Sequence, residues 1–368
     1  METKCWKITE KDNLAECLAP AAALLRRGEV VAFPTETVYG LGADGLNGEA
    51  CKKIFLAKGR PADNPLILHI AEFDQMAQLT SGLSPLAQKL MKAFWPGPMT
   101  LIVPKSDAVP ETVTAGQSTV AVRFPSDPVA RELIRLAGVP IAAPSANKSG
   151  KPSPTNAADV LQDMDGIIAG VVDGGPCAIG VESTIIDTTE SIPTILRPGG
   201  ITAEMIRSVM GDVRLDPGLV RADQKPKAPG MKYRHYAPKA PMYLVEGEQA
   251  GLGVIRAAIL AEASGLKTGV LALSETAQHL PRTANLVVCD AGKSLEELAE
   301  HLFTDLRQFD REKVDIILGE GVTDRALGLA IMNRMQKSAG QNVLLYENGM
   351  FRKKSGLAPA FLQGLLVE

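Results

Sequence analysis

Lys58-Gly59-Arg60-Pro61-Ala62-Asp63-Asn64-Pro65-Leu66-Ile67-Leu68-His69 joins a helical pattern to a short apolar strand through a loop of restricted backbone. Gly59 stands between two cations, Pro61 and Pro65 bracket Asn64, and the apolar run that follows carries His69. A guanidinium fork and a compact ammonium beside a strand end suit a phosphate or a carboxylate. The competing reading of the same loop is a solvated surface cation pair, in which replacing Lys58 or Arg60 costs little stability.

Three further segments share the layout of that loop. Phe33-Pro34-Thr35-Glu36-Thr37-Val38-Tyr39-Gly40 is a strand breaking into polar residues, and Ser118-Thr119-Val120-Ala121-Val122-Arg123 is an apolar strand ending on an arginine. Val139-Pro140-Ile141-Ala142-Ala143-Pro144-Ser145-Ala146-Asn147 runs from a buried-type strand into small donors and acceptors. Polar residues where apolar strands stop mark the ligand side of an open α/β sheet.

Working outward, an amphipathic helix over 13–28 ends on Gly28 and precedes a strand at 29–33. Helical patterns recur at 49–58, 84–94, 127–137, 155–163 and 202–210. They alternate with apolar runs at 66–70, 100–103, 119–124, 139–143, 167–172, 183–187 and 194–197, which predicts a twisted mixed α/β sheet over 1–214. Residues 215–241 lapse into proline, lysine and charge and read as a linker. Beyond it, over 242–368, strands at 242–245, 269–273, 285–289 and 314–318 alternate with helices at 248–263, 294–309 and 325–338. That alternation describes a small Rossmann-like α/β domain. No Gly-x-Gly-x-x-Gly opens it, which argues against dinucleotide binding there.

Composition narrows the class. A chain of 368 residues with 45% apolar content is long enough for two cores. A net charge of −3 argues against a dedicated nucleic-acid binder, which carries a basic balance or stripe. Five scattered cysteines without a Cys-x-x-Cys pair fit buried thiols in a reducing compartment. The first residues carry charge where a signal peptide needs an apolar core, and no apolar run reaches membrane-spanning length. The expected location is cytoplasmic, with no membrane partner.

The set Lys58-Gly59-Arg60 with Asn64-Pro65-Leu66, Ser145-Ala146-Asn147, the segment 33–40, and Pro229-Gly230-Met231-Lys232-Tyr233-Arg234-His235-Tyr236-Ala237-Pro238 resembles the L-threonylcarbamoyl-AMP synthase family in its long two-domain form. The resemblance covers essentially the whole chain and is densest over residues 10–240. It implies a YrdC-like catalytic domain joined by the proline-rich linker to the C-terminal Rossmann-like domain. It also implies condensation of L-threonine, bicarbonate or CO2, and ATP into L-threonylcarbamoyl-AMP and pyrophosphate. The product serves threonylcarbamoyladenosine formation at adenosine 37 of tRNAs reading ANN codons. A downstream tRNA threonylcarbamoyl transferase complex is the implied partner, and tRNA itself is not needed for the adenylate. Two alternatives stay open: an RNA-binding module, and a carbamoyl-transfer maturation factor, whose zinc-binding Cys-x-x-Cys repeats this sequence lacks.

By that resemblance Lys58 and Arg60 stabilise the reacting phosphates and are the catalytic pair. ATP contacts extend to Asn64, Thr119, Ser145, Asn147, Ser153, Arg197 and His235. Threonine falls to Thr37, His69, Arg123, Ala143 and Ser183, with Arg123 on the carboxylate. Taken singly, Ser145 and Asn147 read as a turn or helix cap, His69 as a structural histidine, and Arg197 as an exposed cation. Tyr233, Arg234, His235 and Tyr236 are expected to close the cleft as a lid. Mg2+ is expected to arrive with ATP, since no His/Cys ligand cluster is present; no metal ligand and no tightly bound organic cofactor are assigned. Glu36 and Glu182 are acidic and adjacent to motifs, and neither is named as general base. Replacing Lys58, Arg60 or Arg123 is expected to disturb folding little, as at an exposed surface.

Overall fold

The computed structural model describes residues 2–217, 236–363 and 366–367. The chain divides into two compact units, Met1–Ser149 with Ser153–Lys232, and Gly150–Pro152 with Tyr233–Glu368.

In the first unit the strands are β1 (Lys4–Lys7), β2 (Val31–Phe33), β3 (Gly40–Asp44), β4 (Ile67–His69), β5 (Met99–Pro104), β6 (Thr119–Arg123), β7 (Ile141–Ala142), β8 (Gly170–Asp173), β9 (Thr184–Asp187), β10 (Thr194–Arg197) and β11 (Arg214–Leu215). The helices are α1 (Leu14–Arg26), α2 (Gly48–Lys58), α3 (Met76–Leu79), α4 (Pro85–Phe94), α5 (Glu111–Thr114), α6 (Pro128–Ala137), α7 (Ala157–Met164) and α8 (Ala203–Met210). Among the described residues the strands form one mixed sheet in the order β1-β8-β2-β3-β7-β4-β6-β5-β9-β10-β11.

Strand alternation sorts this sheet into two faces. One face contributes Leu41, Leu68, Leu101, Val120, Val122 and Ile186 to the main core. On the other, α1 and α6 cover Val31, Phe33 and Ile141 in a second core. Farther along that second face lies a small separate cluster drawn from strands alone: Ile67, Ile102, Ala121, Ile185 and Leu196. Arg123 and Thr119 share the face of Ala121, and His69 shares that of Ile67, because each lies two residues away along its strand.

The segment 40–44 reads as a loop in the sequence, yet it is β3. Its Gly-Leu-Gly-Ala-Asp composition carries no strand propensity. Pairing with β2 and β7 imposes the strand, and Gly42 fits only because a Cβ there would lie 2.8 Å from both Phe33 and Ile141 side chains. β1 likewise escapes the apolar-run reading, since its exposed, lysine-flanked sequence pairs, among the described residues, only with β8.

The second unit holds β12 (Met242–Glu246), β13 (Thr268–Ala272), β14 (Leu286–Asp290), β15 (Ile316–Glu320), β16 (Val343–Glu347), β17 (Met350–Ser355) and β18 (Leu366–Val367), with α9 (Ala250–Ala263), α10 (Ser274–Ala277), α11 (Leu295–Glu312) and α12 (Leu327–Ser338). Strands β14-β13-β15-β12-β16 run parallel, as the β-α alternation predicts, and β17 adds antiparallel to β16. The β16–β17 hairpin turns on Asn348 and Gly349 at φ 51° and 75°. That dipeptide signals such a turn in the sequence, where the strands beside it went unread. Inside this unit Pro152 O accepts from Arg307 Nη2 at 2.6 Å and Gly150 O from Ala237 N at 2.8 Å.

The expected linker at 215–241 is described only at its ends. Leu215 belongs to β11, Ala237–Pro241 lead into β12, and the proline- and lysine-rich middle lies outside the described residues.

Candidate active site

Helix α2 delivers the first cation. Asn47 caps it by accepting from Glu49 N and Ala50 N at 3.0 and 3.1 Å. Gly59, at φ 61°, ends it in the left-handed conformation that glycine adopts freely. Lys58 therefore stands in the last turn and is 3% exposed. Its ammonium donates to Ser145 O at 2.5 Å and Asn147 O at 2.6 Å, with Asn147 Oδ1 at 3.4 Å. Ser145 Oγ donates to the same Oδ1, so the three expected site residues Lys58, Ser145 and Asn147 form one cluster.

Arg60 follows in the loop, where its Nη2 donates to Asn64 O and Pro65 O, each at 3.1 Å. Asn64 is buried, and its Oδ1 has no hydrogen-bond partner among the described residues. This loop enters β4 at the same end of the sheet as Thr119, because β4 and β6 run parallel with Ile67 opposite Ala121.

The other end of those strands carries a second cluster. His69 lies opposite Arg123, Arg123 opposite Thr100 on β5, and Thr100 opposite Ile185 on β9. Arg123 is 4% exposed, and its Nη1 donates to Thr37 Oγ1 at 2.8 Å. Thr35 Oγ1 donates to Val38 O at 2.7 Å and lies 2.9 Å from Thr37 Oγ1. The network so assigned runs from Arg123 through Thr37 and Thr35 to a carbonyl, which spends the Thr37 proton and leaves that hydroxyl acceptor capacity.

Glu36 Oε1 lies 2.8 Å from Arg123 Nη2. The contact is a buried ion pair, and Nε and Nη2 of Arg123 have no other hydrogen-bond acceptor among the described residues. Burial by itself would raise the Glu36 carboxyl, but the Arg123 guanidinium and backbone N–H groups of Glu36 and Ser126 together outweigh it and hold the group below the ordinary glutamate value. His69 is pushed the other way: burial, then Arg123, lower its pKa to about 3, and the ring is neutral with Nδ1 3.2 Å from Ile67 O. Burial also drives the Tyr39 phenol upward, and its hydroxyl donates to Gly175 O at 2.7 Å, as befits a wall of the cleft.

Ser183 is clamped beside this cluster. Its Oγ lies 2.8 Å from Thr100 Oγ1, and Arg197 donates to its carbonyl from Nε at 3.1 Å and Nη2 at 3.0 Å. Gly199 presses on the same backbone, where a Cβ would lie 2.3 Å from Glu182 O and 2.4 Å from Thr184 N. Ser153 Oγ, fully buried, donates to Glu182 Oε1 at 2.7 Å. Ala143 N donates to Ile67 O at 2.9 Å, which sets the chain after β7 against β4.

The expectation that Lys58 and Arg123 behave as exposed cations is corrected by this geometry. Both are buried, because carbonyls of the loop after β7 enclose Lys58 while Glu36 and Thr37 enclose Arg123. Thr100 went unread in the sequence, where a threonine inside an apolar strand carries no signal of its own. Of the expected lid, Tyr233, Arg234 and His235 lie outside the described residues. Tyr236 is 1% exposed, with its ring 5.1 Å from that of Phe303 and 6.0 Å from the Arg334 guanidinium, all within the second unit.

Residues 23–199 match the Sua5/YciO/YrdC family model, described as telomere recombination, and residues 201–340 match the model of the threonylcarbamoyl-AMP synthase C-terminal domain. A threonylcarbamoyl-AMP synthase of Bacillus subtilis is 51% identical, over 94% of this chain and 100% of its own length. The chain belongs to the threonylcarbamoyl-AMP synthase family. Another member, from Pyrococcus abyssi, is 49% identical over 88% of this chain and 94% of its own length. The crystal structure of P. abyssi Sua5 complexed with L-threonine superposes with a TM-score of 0.87, at 46% identity, over 94% of this chain and 100% of that one. The two-domain α/β architecture is thus that of the family, in its long form.

Proposed function

We propose that this member of the family makes L-threonylcarbamoyl-AMP and pyrophosphate from L-threonine, bicarbonate or CO2, and ATP. The observation that carries the reading is the buried Nε–Nη2 edge of Arg123, a fork suited to gripping a carboxylate in parallel, set beside Thr37, His69 and Ser183. The threonine complex of the related P. abyssi protein supports it.

In this reading the threonine carboxylate pairs with Arg123, and Thr37 accepts from the amino or hydroxyl group of the substrate. The amine, its protons lost to solvent, takes up CO2 as a carbamate, and a carbamate oxygen attacks the α-phosphorus of ATP, breaking its bond to the bridging oxygen so that pyrophosphate leaves. No covalent enzyme nucleophile is needed, so the chain acts by alignment and charge neutralisation. Arg60 and Asn64, with Thr119, Ser145, Asn147, Ser153, Arg197 and His235, serve the nucleotide, while Lys58 holds the loop that presents Ser145 and Asn147. Mg2+ arrives with the ATP phosphates and neutralises part of their charge. In the cytoplasm the adenylate then passes to a transferase that modifies adenosine 37 of tRNA.

Chromatography of the adenylates formed from ATP, bicarbonate and each of several amino acids tests the reading. Threonine is expected to exceed valine by far, since unpaired buried polar groups penalise the isostere. Equal turnover of the two would overturn the pocket.

A further inference from the structure

We propose that Glu36 is the positioning and charge-balancing residue of the amino-acid pocket: it fixes the Arg123 guanidinium for the substrate carboxylate and selects a zwitterionic amino acid over a bare carboxylate. The inference rests on the reading that Arg123 takes that carboxylate.

Glu36 and Arg123 are enclosed together, with side chains 10% and 4% exposed. A guanidinium in such a place is costly unless an anion accompanies it. Glu36 is that anion before any substrate arrives, and its closest approach is Oε1 to Nη2. Thr37 holds Nη1 from the other side. The two contacts hold Nη1 and Nη2 and leave Nε without a hydrogen-bond acceptor among the described residues, the donor an incoming carboxylate can take.

Charge then decides which ligand fits. Arg123 and Glu36 sum to zero, and among the described residues no other cation shifts the Glu36 carboxyl: His69 is neutral, while burial raises the Cys177 thiol and the Tyr39 phenol and so keeps both uncharged. Asp127, whose carboxylate accepts from Ala130 N at the start of α6, is a further acid that faces the pair among the described residues. A carboxylate ligand therefore adds a further anion to a guanidinium that Glu36 already balances. A zwitterion brings its own ammonium and leaves the sum unchanged. The same substrate lacking its amine carries the penalty in full.

The test uses the full chain. L-threonine and ATP binding are measured separately by calorimetry, with KM and kcat for adenylate formation and competition by 3-hydroxybutyrate, which is threonine without its amine. Glu36→Gln is expected to raise the threonine Kd and KM by about tenfold or more, to leave ATP affinity unchanged, and to narrow the preference for threonine over 3-hydroxybutyrate. Glu36→Asp keeps the charge, so it is expected to weaken threonine without narrowing that preference; this variant carries the test if Glu36→Gln does not fold. Unchanged or tighter threonine binding by Glu36→Gln would overturn the proposal, tighter binding meaning that Glu36 occupies the place of the substrate carboxylate. Equal loss of threonine and ATP would overturn it as well, by showing general damage. Arg123→Lys separates the two readings, since unchanged threonine affinity there removes the carboxylate assignment itself.

Discussion

Lys58 Nζ lies 2.6 Å from Asn147 O and 2.5 Å from Ser145 O, so the cation that closes α2 fastens the loop after β7. Removing it strands two carbonyls in a buried place, at about 1.5–3 kcal/mol for each hydrogen bond to a charged group. Lys58→Met is therefore expected to lower the melting temperature of the ligand-free chain as well as to weaken ATP binding. A variant that melts like the parent while losing only ATP would make Lys58 a phosphate contact and nothing more.

His69 is expected to stay neutral across the working pH range. Its folded pKa of about 3 lies below the ordinary 6.5, so the unfolded chain binds more protons between those values. This residue consequently makes stability rise with pH through that window. Ring-proton NMR of His69 should show no titration between about pH 5 and 8, and His69→Gln should flatten the acid limb of the stability curve. A midpoint near 6.5 would contradict the assignment.

Asp305 carries the opposite sign. Burial pushes its carboxyl up to about 7, with Oδ2 lacking a hydrogen-bond partner among the described residues. The folded chain then holds the extra proton between 3.8 and about 7, and stability is lost as pH rises through that window. Asp305→Asn is expected to raise unfolding free energy by about 1–3 kcal/mol near pH 8 and by little near pH 4. Denaturant titrations at the two pH values would reveal whether the gain is absent at the higher one.

Gly199→Ala puts a methyl group into the backbone of Glu182–Thr184, where no side chain can move aside. An overpacking cost of about 2–4 kcal/mol is expected, with threonine KM rising because Ser183 shifts. A fully active variant with an unchanged melting curve would show that the segment yields.

Much of this architecture was legible from periodicity. Helices α1, α2, α4, α6, α7 and α8 and the buried strands β4, β5, β6, β9 and β10 follow from apolar spacing and caps, as Asn47 and Gly59 illustrate around α2, whereas the single turns α3 and α5 went unread. β3 was not legible, since neighbours rather than Gly40 and Gly42 make it a strand. The residue types that bind anions were visible as polar strand ends, but their division was not. Register alone places Arg123 beside His69 and Thr100, and only folding shows that Lys58 is turned to carbonyls and Glu36 to a guanidinium. Such pairings join residues far apart in sequence, which no local pattern encodes.

β6 acts as a ruler. Thr119 and Arg123 point from one face of a single strand, four steps apart, which sets the proposed nucleotide and threonine contacts roughly 13 Å from each other at the usual rise per residue. The interval is held by backbone hydrogen bonds to β4 and β5 rather than by any loop. Two residues inserted into the strand would keep both side chains on that face and part them by about 7 Å more, whereas one would turn Arg123 into the main core. In the proposed site the size of the molecule assembled between those marks is thus written in strand length, and evolution can vary the loops around it without changing the measure.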